Sequence, residues 1–501
     1  MQSSLDNDQF KQAFLGGHLA IDCLEIMLTQ NASENPRIYR LVGSLFVDPD
    51  NGVEGRLVWE RDTDHPFDMF AAVKATQQIQ SGDIIPEDRY FHLRAVDTAR
   101  RIWTHPAVFI RREELLQAEI LKISCDFIQV ELDTSDTRTL AHFVFHEALG
   151  IRMNKTHSST EPLRNGERHT NKRTAAKGDV DGFEIDYYPV IVDKAGSAHE
   201  LSAVARPGIS PPDNFDIRLL EAIQFSVAKL AWPIMREVIQ GGKQVITLSK
   251  SSPFNNGHVQ SAVPDLAWDD FFRLVERYYQ YACSATQGME PPPMSKKISG
   301  LFTLKGVWLD TIALLLAVSV ESLLNEPVYK KLGVPNSEER KKIQKLIDYV
   351  ALAPLEENLK ERAARIMGSM KSSSASDRLY VLAKAGVIEE EDIKAWKAIR
   401  NAAAHGGLKV DPSKLQSLLE QVNRLVAMTY KLVFFRIGYQ GIYTDYAMRG
   451  WPEAQFDAVA CQERLAQLSE PIQLPVQVVK PSWLFRLRLR LRLMRQGEKR
   501  G

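Results

Sequence analysis

Through the first half of the chain, apolar and polar residues alternate in short runs broken by turn-forming residues. Residues 41–47, then Asp48-Pro49-Asp50-Asn51-Gly52, then residues 56–60 read as strand, turn, strand. Asn51-Gly52 suits the positive φ angles of a tight hairpin. Further short strands are predicted around residues 122–132, 183–192 and 244–248. A helix is predicted over residues 217–239, bent or broken at Trp232-Pro233 because proline cannot continue the hydrogen-bond ladder. Residues 152–177 are polar and basic with almost no apolar period, so they read as a long loop. In a compact domain such a loop is functional or disordered.

The texture changes after Gly288-Met289-Glu290-Pro291-Pro292-Pro293, which marks a domain boundary. Residues 309–324 are apolar nearly all round, the pattern of a central helix in a bundle. Helical periodicity continues over 338–367, bent near Pro354, and over 377–385. In 389–404, Ile393, Trp396, Ile399 and Ala403 form one stripe, and Gly406-Gly407 is a stop signal. Asp411-Pro412 then opens a last helix with Leu415, Leu418, Leu419, Val422, Leu425 and Val426 on its inner face. The reading is an α+β protein: a β-rich mixed N-terminal region (1–295, with room for two subdomains), an all-α bundle of four or five helices (296–445) and a C-terminal extension (446–501). In that extension Leu484, Leu487, Leu489, Leu491 and Leu493 alternate with Arg486, Arg488, Arg490 and Arg492. If extended, leucines take one side and arginines the other.

Composition narrows the partners. The 63 basic and 63 acidic residues balance, so no global field attracts nucleic acid and any RNA contact must come from local patches. Cys23, Cys125, Cys283 and Cys461 form no Cys-x-x-Cys pair, which points to a reducing cytoplasm rather than a disulfide framework or a zinc site. The N-terminus has no basic region followed by an apolar run, so no secretory leader is expected. The most apolar stretch, 312–320, falls far short of the ~20 residues a membrane span needs.

The pattern that carries chemistry is an arginine, four residues, then a histidine. A chain of this size gives about one match by chance. This one has Arg100 to His105, Arg152 to His157, Arg164 to His169 and Arg400 to His405. His105-Pro106 falls in a loop or helix edge, and the second and third matches lie in the polar stretch. Only Arg400-Asn401-Ala402-Ala403-Ala404-His405 ends a strongly patterned helix. With Gly406, the preceding Asp392-Ile393-Lys394-Ala395-Trp396 helix and Val318-Ser319-Val320-Glu321-Ser322-Leu323-Leu324, this segment resembles the HEPN superfamily. In particular it resembles the HEPN domains that end bacterial abortive-infection proteins of the ApeA type. The resemblance spans residues 301–441; the 43–60 hairpin resembles the β-rich ApeA N-terminal region more faintly.

Residue chemistry can be read beside that resemblance. Asn401 and His405 share a face one turn apart, with Arg400 on its flank. The negative end of the helix dipole favours a protonated His405. A histidine of near-neutral pKa can take the 2′-hydroxyl proton of RNA or protonate the leaving 5′-oxygen. Arg400 can pair with the scissile phosphate and stabilise charge in the transition state. The nucleophile belongs to the substrate, so the step needs no metal or cofactor and cannot act on DNA. Glu321, a charge within an apolar run, either pairs with a nearby cation or orients Arg400 or His405. The resemblance implies a homodimer supplying a second histidine, a role in anti-phage defence by cutting host RNA such as tRNA, and a trigger encoded by the phage. Its alternative is an inactive HEPN module that only binds RNA or dimerises.

Weaker signals remain. Arg152, Lys155, Arg164, Arg168, Lys172 and Arg173 could track phosphates or simply be solvated. The Leu/Arg tail could bind RNA or a partner's edge strand; with Trp483 and Phe485 it could also lie on an anionic membrane surface. His142 and His146 would sit one turn apart, with Glu147, if 141–150 were helical, which gives a metal-dependent rival; half-buried structural histidines are the other reading.

Overall fold

A computed structural model describes residues 7–59, 84–111, 120–162, 168–192, 196–252, 259–286, 288–303, 307–404, 413 and 415–469. The α+β reading holds: strands dominate the first half and helices the second.

Helix α1 (Asn7–Leu15) precedes β1 (Leu19–Gln30), β2 (Ile38–Asp48), β3 (Gly52–Trp59), β4 (Phe91–Asp97), β5 (Ile102–Arg111) and β6 (Ile120–Cys125). These six strands run antiparallel in the order β1-β2-β3-β6-β5-β4, and pairing of β4 with both β1 and β5 closes them into a barrel. Closure removes the unpaired edge an open sheet would expose. Alternation explains the filling: in β1, Leu19, Ile21 and Cys23 are buried between exposed neighbours. A bulge between Cys23 and Ile26 bends that strand. At the β2–β3 hairpin, Asp48 Oδ1 accepts the amides of Asp50 and Asn51, and positive φ falls on Gly52 alone.

From β5 the sheet continues through β7 (Phe127–Asp133), β14 (Lys243–Ser249), β13 (Met235–Gln240), β8 (Leu140–Phe145), β12 (Gly196–Ala205), β11 (Phe183–Val192), β10 (Arg168–Val180) and β9 (Lys155–Pro162). One side of this extension shares a core with the barrel and α1; Val144, Met235 and Leu248 belong to it. The other side packs with α2 (Phe215–Val227) and α3 (Trp268–Ala285).

Three local expectations are overturned here. The basic stretch is not a loop: residues 155–162 and 168–175 pair antiparallel as β9 and β10, because cross-strand pairing supplies the order that periodicity lacks. The 217–239 helix stops at Val227, where Ala228 takes φ +54°, and residues 235–240 become a central strand. Residues 122–132 form two strands rather than one.

The second half holds α4 (Pro293–Ile298), α5 (Leu309–Leu323), α6 (Pro327–Lys330), α7 (Ser337–Ala351), α8 (Glu357–Ser369), α9 (Ala375–Lys384), α10 (Glu390–Ala404) and α11 (Leu415–Ile437). The hairpin β15 (Gln440–Thr444) with β16 (Glu453–Asp457) and helix α12 (Ala458–Ser469) follow. Reciprocal side-chain caps fix two starts: Asn336 with Glu339 for α7, and Ser374 with Asp377 for α9. The bent 338–367 helix proves to be two helices, α7 and α8, folded against each other, and the all-α region ends in a strand. Helix α5 is not central: Ile312, Leu316 and Val320 are buried, whereas Leu314, Leu315 and Val318 are exposed. On α11, Val422, Leu425 and Val426 are buried, but Leu415 and Leu419 are exposed.

A single buried cluster runs from Phe143 and Phe183 through Phe225 and Tyr278 to Val320, Trp396, Phe434 and Phe456. It crosses residues 295 and 445 without a break.

Candidate functional site

The site is set by the crossing of α5 and α10. Ile393, Trp396 and Ile399 are buried as the stripe predicts. Trp396 Nε1 donates to the Ala317 carbonyl at 3.2 Å inside that contact, which fixes the register of the two helices. One turn further along each helix, Arg400 and Glu321 must then meet. Arg400 Nε donates to Glu321 Oε2 at 3.0 Å and Nη2 to Oε1 at 3.3 Å. This two-point pair raises the Arg400 pKa further and holds its guanidinium 5.6 Å from the Trp396 ring centroid.

Both members stand at the surface, with side chains 49% and 40% exposed, so the pair is worth little to stability and orients more than it stabilises. Arg400 Nη1 has no hydrogen-bond partner among the described residues and is available to an anion. Asn401 is exposed on the next position. His405 lies outside the described residues, as do Arg164, Arg486, Arg488, Arg490 and Arg492. The backbones of Arg168, Lys172 and Arg173 belong to β10.

At its other end α10 is anchored by Asp392, which is fully buried. Its carboxylate accepts the Glu389 amide at 3.0 Å and Arg424 Nη1 at 3.2 Å. Burial raises its pKa even so.

The histidines of the other three arginine–histidine spacings lie on strands. His105, expected in a loop or helix edge, is a buried residue of β5; its ring packs 4.3 Å from that of Phe127 and burial lowers its pKa to about 4. His157 and His169 fall on β9 and β10, so neither has the helical setting of Arg400.

The helix that the metal-site rival requires does not form, since residues 140–145 are a strand. Among the described residues no group of three or more histidine, cysteine or carboxylate side chains converges as metal ligands would. His142 instead bridges two carboxylates: Nε2 lies 3.0 Å from Glu200 Oε2 and Nδ1 lies 3.7 Å from Glu237 Oε2. Lys11 of α1 pairs with the other Glu200 oxygen, the Tyr188 hydroxyl donates to Glu200 at 2.9 Å, and Gln244 donates to Glu237. Burial alone would lower His142, but the two carboxylates outweigh it and raise the pKa. Burial likewise works against ionised Glu200, yet His142 and Lys11 bring it to about 2. Sequence reasoning missed this network. Only the place of Glu237 in phase with apolar Met235 and Ile239 along its strand hinted at it.

Among the described residues no helix is long and apolar enough to cross a membrane. Comparison with known protein families, with curated proteins and with solved structures finds no match to this chain.

Proposed function

We propose that the chain is an endoribonuclease of HEPN type that uses the 2′-hydroxyl of its RNA substrate as nucleophile. Its catalytic residues in this reading are Arg400, Asn401 and His405, with Glu321 as a positioning residue. The observation that carries the proposal is the Arg400–Glu321 pair, which holds a guanidinium at the surface beside exposed Asn401, with no partner for Nη1 among the described residues. Arg400 would bind the scissile phosphate and offset its growing charge. His405, four residues on from Asn401 in the sequence, would exchange the proton.

One histidine cannot serve both proton transfers at once. A second copy of the chain would supply the other, and the exposed apolar residues Leu314, Leu315 and Val318, on the helix that carries Glu321, favour such a homodimer. Cutting host RNA such as tRNA in response to a phage-encoded trigger, with the β-rich half as sensor, is the biological role this reading implies.

The same pair also favours a second reading. Glu321 neutralises Arg400, and an RNA-binding or dimerisation module needs no free cation there. Cleavage of tRNA and single-stranded RNA in excess chelator separates the two. A nuclease leaves cyclic 2′,3′-phosphate ends and loses at least about a hundredfold in rate with Arg400→Ala or His405→Ala. RNA binding without cleavage, unchanged in His405→Ala, would establish the module instead.

A further inference from the structure

A cavity of about 550 Å³ lies where the two halves meet, away from the Arg400 site. Residues 149–152, 227–229 and 259–271 wall it from the first half, and residues 444–451 from the second. Its size falls in the range of small-molecule sites, roughly 300–1,000 Å³.

Its two kinds of lining point to one kind of ligand. Aromatic residues from both halves line it, Trp268 and Phe271 from the first and Tyr446 and Trp451 from the second. Trp268 donates Nε1 to the Arg152 carbonyl at 3.1 Å, Tyr446 donates its hydroxyl to the Ser261 carbonyl, and Trp451 meets the Tyr446 ring edge-on at 5.3 Å. Trp451 is 43% exposed, so part of an indole remains free for stacking.

Lys229 supplies a cation. Its ammonium lies over Gly150, so close that a Cβ there would come within 3.2 Å of Nζ. It forms no hydrogen bond or ion pair among the described residues, and burial lowers its pKa despite Glu147 nearby. A half-buried ammonium that has a carboxylate nearby but no hydrogen-bonded counter-ion still gains from an anion that joins it directly. At the rim, Arg152 is held by Asp265 at 2.6 Å.

The backbone adds an independent sign. Five non-glycine residues of the described chain have positive φ; Ala228 at +54° caps the end of α2, whereas Trp451 at +51° is a bulky residue that lines this cavity. A bulky residue in that region is strained, and such strain gathers at ligand sites.

We infer that this cavity binds a nucleoside 5′-phosphate, its base against Trp268, Tyr446 and Trp451 and its phosphate on Lys229. A purely apolar ligand would leave Lys229 unpaired, and a free anion would leave the aromatic wall unused. The site does not depend on the chain being a nuclease. Because it joins segments of both halves, its ligand also ties the β-rich region to the helical one.

Equilibrium dialysis of the full chain against AMP, GMP, CMP, UMP, adenosine and inorganic phosphate tests the assignment. Saturable binding of at least one monophosphate is expected, about tenfold tighter than adenosine or phosphate alone. Lys229→Met should reduce the nucleotide to the affinity of the nucleoside while leaving adenosine unchanged. Trp451→Gly relieves the positive φ, so the melting temperature should hold or rise while nucleotide affinity falls about tenfold. The inference is overturned if no monophosphate saturates by about 5 mM, if phosphate binds as tightly as the nucleotide, or if neither substitution weakens binding.

Discussion

At the scale of single residues, the Arg400–Glu321 pair separates orientation from stability. Because both side chains are nearly half exposed, Glu321→Gln should change stability by less than about 1 kcal/mol. If Glu321 positions Arg400 for catalysis, the same substitution should lower RNA cleavage about tenfold or more, and Glu321→Asp should restore part of it. A proportional loss of stability and activity would mark the pair as merely structural. Gly178 shows the opposite balance. A methyl there would collide with the Phe272 ring of α3, so Gly178→Ala should cost about 1–3 kcal/mol in denaturant unfolding with cleavage chemistry untouched.

At the scale of elements, the centre of the extended sheet carries a charge network that ties α1 to β8, β12 and β13. The His142 pKa is raised, so its stabilisation is complete below the ordinary histidine value of about 6.5 and is lost as pH rises through the higher folded value. Glu200, at about 2, contributes above about 4.3 and loses that contribution as pH falls toward 2. His105 acts in the other direction: its pKa of about 4 removes stability as pH falls from about 6.5 toward 4. Thermal unfolding should therefore show the advantage of wild type over His142→Gln shrinking as pH rises above about 6.5. An advantage constant above that pH would show that His142 does not titrate in the fold. Glu200→Gln strips a buried partner from Lys11 and His142 and should cost roughly 3–5 kcal/mol at pH 6.

At the scale of the whole molecule, the continuous core decides which pieces can exist alone. Phe225 of α2 stacks on Tyr278 of α3 at 4.6 Å and meets Tyr430 of α11 edge-on at 5.8 Å, so aromatic packing crosses the expected boundary at 295. The Tyr430 hydroxyl reaches the Gln260 carbonyl, and Ala458 and Cys461 of α12 are buried in the same cluster. A fragment of residues 296–445 would expose this surface. It should be recovered mostly as aggregate and lack the near-ultraviolet dichroism of packed tyrosines, in contrast to the full chain. A monomeric fragment with native-like dichroism would show that the helical region folds independently. The pair α7 and α8 differs: it has no buried residue, and Tyr349 and Leu352 are 74% and 87% exposed, so its truncation should be tolerated far better.

Local pattern by itself determined the strand at 183–192, the turn ending at Gly52, the helix over 390–404 and its buried stripe, because alternation, turn chemistry and 3.6-residue spacing are written within a few neighbours. It also singled out Arg400 and Glu321 and offered their pairing as one of two readings of Glu321. Only the tertiary structure decided that they meet, since the Trp396–Ala317 hydrogen bond sets a register no local pattern encodes. The strand at 235–240, placed by its pairing with β8, and the exposed face of α5 were hidden for the same reason: the deciding contacts come from remote parts of the chain. The β9–β10 hairpin pairs neighbouring segments and was hidden because neither strand carries an apolar alternation. The His142–Glu200–Glu237–Lys11 network joins four segments, and the cavity around Lys229 and Trp451 joins four more. Sequence carries the propensity of each segment. Which charges are buried, which are paired and which face an empty space depends on long-range closure of the sheet and packing of the core.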